Sequence, residues 1–519
     1  MAPSPPTAHA TRPIPILLLA AAFVLASGLI SAGIFESVPH VEDEAAYWFQ
    51  AQVFAGGALS VPTPPEPDAY WSPFVIDYHG HRFGKYPPGY PLLLSLGIRL
   101  GAPWLVNALL GAAALVLLSD AGRRLFSPFA GLLAAALGLT CPVLLAHAGS
   151  LLSHPTAIFC AAALIWCLAG LEAHVDPEST DAERAASKQR RHPQSALLWS
   201  AGAGLALGCL LLTRPYDALG VGMPVAIYWL LRALRRRSRP HLTTGLVAAA
   251  AAVLVALLLP IYWHAVTGLW LVNPYQHVYP YDHPGFGPTV GPQGYTLDLA
   301  LTYLGYNLVS MAHSFLGWPA YLSLVFVPLP FILGARSHRP YLLLAIIAGV
   351  ILTYGTYWYY GGHDAGFPRY YTVAIPCLLL LTGRGIDLSA QWLRRHIGKR
   401  SPAVILYPLL IGLVAWNAFV FLPPQLAAFR GKYGVTAAPV AVIEATASKP
   451  ALVLVENVAL WHDFAPFFAA NSPTLDSEII YAIYRDPQQV NRLQATFPDR
   501  PCCLWDGQHL ARCDEDGTQ

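Results

Sequence analysis

The sequence divides into apolar blocks of about 20 residues, and this division constrains the fold more than any other feature. One helix needs about 20 consecutive apolar residues to cross a bilayer core. The blocks run near 14–35, 102–119, 129–147, 151–170, 196–213, 217–234, 242–263, 315–334, 340–360, 370–383 and 402–422. Hydrophobic residues make up 55% of the 519 and charged residues 12%, about half the charge of a soluble chain. The expected class is an all-α polytopic membrane protein with roughly eleven transmembrane helices. The first block is too long for a signal-peptide core and lacks a clean cleavage site, so it reads as an uncleaved signal anchor. Net charge is +2, with no basic patch interleaved with aromatics. Nucleic acid is therefore not an expected partner.

Arginine placement sets the expected orientation, because cytoplasmic loops collect Lys and Arg. With the N-terminus inside, one side receives Arg12, Arg123, Arg124, the basic residues of 184–191 and 232–239, Arg336, Arg339 and those of 384–400. The opposite loops hold only Arg82, Lys85, Arg99, Arg214 and Arg369 before the C-terminal stretch. The implied organisation is a cytoplasmic tail at 1–13 and a transmembrane domain at 14–422 with outer loops at 36–101 and 264–314. A small α/β extracytoplasmic domain follows at 423–519, where Ala451 to Val455 is strand-like. The 88–100 segment is too short to span and is expected at the outer interface, and 297–313 reads as an amphipathic helix. Cys502, Cys503 and Cys513 lack zinc-ligand spacing. On an extracytoplasmic domain, either Cys502 or Cys503 can pair with Cys513.

Unusual polar residues gather on the outer side. Glu42, Asp43 and Glu44 follow the first span directly; acids also suit a helix start, so this run has a local reading as well. Lys85 precedes Tyr86-Pro87-Pro88-Gly89-Tyr90-Pro91, which extends the chain as it meets the membrane. There Lys85 can hold a phosphate as a point charge or anchor to a lipid headgroup. Arg214 in Thr213-Arg214-Pro215 and Arg369 in Arg369-Tyr370-Tyr371 oppose the charge bias. Arg214 calls for an anionic partner, and Arg369 can grip a phosphate in bidentate fashion. His147 and Ser153-His154-Pro155 flank one outer turn, and Asp282-His283-Pro284-Gly285-Phe286-Gly287-Pro288 suits a fixed turn over a cavity. Carboxylates, cations and aromatics on one face of a bundle are what transfer from a lipid-linked phosphate needs: a base, phosphate neutralisation and sugar positioning.

At these residues the chain resembles the GT-C glycosyltransferases, in the branch of protein O-mannosyltransferases, aminoarabinose transferases and bacterial galacturonosyltransferases. Asp43-Glu44 is similar to that branch's Asp-Glu pair after span one, which implies Asp43 as catalytic base with Glu44 assisting. Lys85-Tyr86-Pro87-Pro88 and Arg369-Tyr370 resemble its donor-phosphate elements, which implies phosphate binding by Lys85 and Arg369, with Arg214 added. Tyr47, Tyr86, His154 and Tyr370 are expected to position substrate. His154 stands where many relatives carry Asp, and could orient the acceptor in its place.

The expectation is an inverting glycosyltransferase of the bacterial inner membrane, acting on the extracytoplasmic face. It would move a sugar from a polyprenyl-phosphate donor to a hydroxyl on a glycan, lipid or protein. A transporter or flippase of lipid-linked sugars is the alternative, although the charges sit at the surface rather than at mid-membrane. No cofactor is assigned, and a divalent metal held by Glu42, Asp43, Glu44 and nearby His residues stays open.

Overall fold

The protein is described from a computed structural model covering residues 14–175, 193–236, 239–270, 272–335 and 337–513. The N-terminal tail, the 184–191 basic stretch and Arg336 lie outside the described residues.

Apolar composition produces the expected helices. Among the described residues eight are long and apolar enough to cross a membrane, or ten if each of two bent pairs counts as one span. Arg339–Gly355 is also apolar but shorter, at 17 residues. Proline explains the bends, since it removes a backbone donor and clashes with the preceding turn. Pro128–Leu139 and Pro142–Gly149 meet at 57°. Leu297–Ser314 and Pro319–Ile332 meet at 93°. The apolar block expected to span at 315–334 is therefore not one continuous helix. Pro319 opens a 3-10 turn, and a four-residue helix follows at Leu329–Ile332. The last helical run spans Pro402–Gly434 and so continues past residue 422.

Bundle packing relies on small residues. A Cβ on Gly131 would lie 2.1 Å from the Ser119 carbonyl, and one on Gly204 2.1 Å from the Ala248 carbonyl. Such contacts let helix backbones approach closely where lipid offers no hydrophobic drive to associate.

The segment at 36–101, expected as the first outer loop, is built of regular elements. It forms a helix at Glu42–Ala55, a sheet of β1 (Val61–Pro62), β2 (Val75–Tyr78) and β3 (His81–Gly84), and a helix at Gly89–Arg99. The strand order is β1-β3-β2, all antiparallel. Arg82 on β3 grips Asp77 on β2 at 2.7 Å. Two short strands, β4 (His363–Asp364) and β5 (Phe367–Pro368), pair just before Arg369.

After residue 434 the chain builds a second sheet from β6 (Ala451–Val455), β7 (Ile479–Ile483), β8 (Cys502–Trp505) and β9 (Leu510–Arg512), in the order β7-β6-β8-β9. β6 is parallel to both neighbours and buried along its whole length, as expected of a central parallel strand. Cys502 forms the disulfide with Cys513, and Cys503 does not. One face of this sheet packs on Ala69 and Tyr70 of the first outer loop. On its other side, Phe49 of the Glu42–Ala55 helix joins the cluster of Phe464, Phe467 and Phe468. Trp48 also donates to the Ala469 carbonyl at 2.9 Å. The C-terminal sheet thus braces the helix that carries Asp43.

Candidate active site

Adjacent side chains on a helix point about 100° apart, so Asp43 and Glu44 cannot share one task. Glu44 turns inward and is only 2% exposed. One of its oxygens accepts from the His40 and Val41 backbone at 2.7 and 3.3 Å, and the other accepts from Leu151 at 2.9 Å. These bonds tie the helix start to the turn before His154–Val175. Burial raises the Glu44 pKa to about 7, against those three donors.

Asp43 faces a cavity of about 570 Å³. Tyr86 donates its hydroxyl to Oδ1 of Asp43, and the Arg369 guanidinium reaches Oδ2 at 3.3 Å. Burial pushes the Asp43 pKa up, but Arg369, the Tyr86 bond, Lys85 and Arg214 together carry it below its ordinary value. Asp43 is therefore ionised at neutral pH.

Lys85 is 5% exposed and lines the same cavity. Its ammonium lies 3.4 Å from the Phe74 ring centroid and 4.8 Å from that of Tyr275. Among the described residues it makes no side-chain hydrogen bond or ion pair. Burial lowers its pKa to about 8, partly offset by Asp43, Asp282 and Glu42. A buried cation held by aromatic faces alone has room for an anion.

Arg214 has the anionic partner its position calls for. Its Nε meets Asp217 at 2.7 Å, and the two Nη groups reach Ser153 Oγ and the Tyr354 hydroxyl at 3.4 and 3.3 Å. Tyr370 stacks on Tyr354 with ring centroids 4.5 Å apart. Tyr47 pairs its hydroxyl with Ser153 Oγ at 3.0 Å and packs on Tyr86. Asp43, Glu44, Tyr47, Lys85, Tyr86, Arg214, Arg369 and Tyr370 all border this cavity. His154 does not. It lies behind His147, ring centroids 4.3 Å apart, and its two nitrogens have no hydrogen-bond partner among the described residues.

Four further residues on the cavity wall carried no assignment from sequence. His147 Nε2 pairs with Asp364 Oδ2 at 3.0 Å, and Lys432 approaches the other Asp364 oxygen at 4.0 Å. His147 was visible as a polar residue at an outer turn, but its pairing with Asp364 joins segments far apart in the chain. Lys432 follows the last apolar block and gave no signal. Asp282 was visible only as the start of a turn motif. Among the described residues no group of three or more His, Cys, Asp or Glu is placed to hold a metal ion. The carboxylates of Asp43 and Glu44 are directed instead to Arg369, Tyr86 and backbone N–H groups.

No protein-family model matches the chain, and no curated protein matches it. Its fold is similar to that of ArnT from Cupriavidus metallidurans in the apo state, at 14% identity over 93% of this chain and 88% of that one, with a TM-score of 0.57. ArnT from Cupriavidus metallidurans bound to undecaprenyl phosphate is also similar, at 14% identity over 95% and 90%, with a TM-score of 0.53. A third likeness is the archaeal oligosaccharyltransferase AglB from Archaeoglobus fulgidus, in complex with an inhibitory peptide and a dolichol-phosphate. There identity is 14%, the TM-score is 0.51, and the match covers 91% of this chain but 64% of AglB. ArnT and AglB are GT-C superfamily membrane glycosyltransferases.

Proposed function

We propose that this chain, a multi-pass membrane protein with the GT-C fold, transfers a sugar from a polyprenyl-phosphate donor to an acceptor hydroxyl. The observation that carries the reading is Lys85, a buried ammonium free of ion pairs among the described residues, in the same cavity as the ionised Asp43 and Arg369. ArnT with bound undecaprenyl phosphate and AglB with bound dolichol-phosphate support a lipid-phosphate donor on this fold.

Lys85 and Arg369 hold the donor phosphate, and Arg214 adds positive field from its pair with Asp217. Asp43 accepts the proton of the acceptor hydroxyl as its oxygen attacks the anomeric carbon. The bond from that carbon to the phosphate oxygen breaks on the opposite face, so configuration inverts. Polyprenyl phosphate departs with the bonding pair, stabilised by the same cations. Phosphate leaves readily, so no separate general acid is needed. Arg369 touches Asp43 before donor arrives, and entry of the phosphate gives that guanidinium a second anion and loosens its hold on the base. Glu44 positions Asp43 through its backbone bonds rather than exchanging protons with substrate. His154 shapes the wall through His147.

The membrane arrangement belongs to the same reading. Arg339–Gly355 crosses as an eleventh helix, tilting little because it is short. The cavity and C-terminal sheet face the extracytoplasmic side of the inner membrane, opposite the Arg-rich helix ends.

The test is release of free polyprenyl phosphate by the purified protein. It is given a panel of polyprenyl-phosphate sugars and a crude envelope acceptor fraction, with Asp43→Asn alongside. Release with one donor, lost in the variant, is the expected result. No release with any donor, while labelled lipid crosses reconstituted vesicles, would replace this reading with lipid transport.

A further inference from the structure

The motif 282–288 has no role in the chemistry above, yet its first residue, Asp282, lies on the cavity. Asp282 is 6% exposed and borders the cavity. Its Oδ1 accepts from the Tyr357 hydroxyl at 2.5 Å and from the Trp358 indole N–H at 3.1 Å. Its Oδ2 has no protein partner among the described residues, and Asp282 forms no ion pair there. Asp282 Oδ2 is not sealed off within the protein but is accessible to the cavity. Two neutral donors on one oxygen leave the other to whatever enters the cavity.

The surrounding backbone fixes that oxygen in place. Gly285 N–H bonds the Thr356 carbonyl at 2.8 Å, and Gly291 N–H bonds the Tyr281 carbonyl at 3.1 Å. Gly285 sits at φ 125° and Gly291 at φ 72°, where side chains are strained. A Cβ on Gly291 would lie 3.0 Å from the Trp358 side chain. The loop is therefore built to press Asp282 and Tyr281 against Trp358, and Tyr281 and Trp358 meet edge to face at 5.6 Å. Aromatic walls with a few fixed polar atoms are how pockets orient a bound molecule. Lys85, proposed above to hold the donor phosphate, lies close enough to feel the Asp282 charge. A sugar joined to that phosphate would occupy the cavity that Asp282 lines.

We propose that Asp282 Oδ2 reads the donor sugar. It accepts a hydrogen bond from a hydroxyl or ammonium on the ring, and it excludes sugars that carry a carboxylate. This rests on the glycosyltransferase reading and names the class of sugar that the same site takes. A uronic acid would set a second carboxylate beside that of Asp282, a like-charge contact that a neutral or amino sugar avoids.

Asp282→Asn separates recognition from a packing role. Asn keeps an acceptor oxygen for Tyr357 and Trp358, so packing is retained. It replaces the free oxygen with an amide N–H₂ donor, which suits a carboxylate and no longer accepts from a hydroxyl. The experiment measures kcat/KM for polyprenyl phosphate release by the full chain. Donors carry a neutral hexose, an amino sugar or a uronic acid, and thermal unfolding of the variant is followed in parallel. Wild type is expected to turn over a neutral or amino sugar and to discriminate against the uronic acid by about 100-fold or more. The variant should shift that ratio toward the uronic acid by at least about 10-fold without a change in melting temperature. Efficient uronic acid transfer by wild type overturns the inference, as does an unchanged ratio in a folded Asp282→Asn. If the variant does not fold, the wild-type donor ratio decides alone. Absence of release with every donor overturns the glycosyltransferase reading itself and this inference with it.

Discussion

Three helices carry a buried polar cluster at each end, and the two clusters differ in kind. His154–Val175, Pro215–Arg236 and Arg339–Gly355 lie at the cavity at one end, where His154 packs behind the wall residue His147, Arg214 directly precedes the second helix and Tyr354 lines the wall. At the other end they bring together Glu172, Tyr228, Arg232, His338 and Arg339. Arg214 and Arg232 are separated by about 27 Å of helix at 1.5 Å per residue. The far cluster is paired in charge within itself, although Glu172 Oε2 and Arg339 Nε make no hydrogen bond among the described residues. Glu172 Oε1 meets Tyr228, His338 and Arg232 at 2.5, 3.0 and 3.5 Å, and Oε2 meets Arg339 at 3.4 Å. The cavity cluster stays open in charge, with Lys85 in no ion pair and one Asp282 oxygen unmatched among the described residues. A closed network has already met its own demand for charge, whereas an open one is matched only when substrate arrives.

If that contrast is right, substitutions at the two ends fail differently. Asp43→Asn should lower kcat by about 10²- to 10⁴-fold, the range for loss of a general base. Its melting temperature in detergent should change little, because Asn still accepts from Tyr86. Glu172→Gln should do the reverse. Leaving Arg232 and Arg339 against a neutral amide costs on the order of 3 kcal/mol, read as a lower melting temperature with turnover per folded molecule unchanged. Loss of turnover in Glu172→Gln without loss of stability would break the comparison. A smaller effect is expected at Lys85. Lys85→Met keeps the aromatic packing and removes the charge, and should raise KM for donor by roughly 10- to 100-fold, the worth of one charged hydrogen bond.

The parts of this site that were legible are those that break a local rule. Lys85, Arg214 and Arg369 stood out because they oppose the side on which basic residues collect, and the structure sets all three on one cavity wall. Asp43 stood out as an acid at a membrane surface. What was not legible depends on distance along the chain. His147 and Asp364 are 217 residues apart, and no local pattern marks one as the partner of the other. The stretch after Phe35 read only as polar, yet it folds into a helix, a three-stranded sheet and a second helix. Its order comes from the C-terminal sheet packed on it, through Phe49, Ala69 and Tyr70. The apolar block at 315–334 was visible, but its hydropathy does not show that Pro319, Pro328 and Pro330 interrupt the helix. Hydropathy measures affinity for lipid and is blind to backbone geometry.

The mildest prediction also separates the two adjacent acids. The pH dependence of kcat/KM reports groups in the free enzyme. Lys85, with its pKa lowered to about 8, is charged below that pH and neutral above it. Donor capture should therefore fall about tenfold per pH unit above 8. Lys85→Arg, which stays charged, should move that limb to higher pH. On the acid side the base must be deprotonated. Asp43 is held below its ordinary value of 3.8, so with Asp43 as base the rate stays flat from pH 7 down to about 5. Were Glu44 the base, its pKa near 7 would make the rate fall tenfold for each unit below neutrality. A flat profile assigns the proton to Asp43 and leaves Glu44 its backbone bonds. A limb near pH 7 that disappears in Glu44→Gln, with activity retained, would show that Glu44 titration controls the site's shape. The same limb with activity abolished would make Glu44 the base and overturn the division of labour drawn from its three N–H donors.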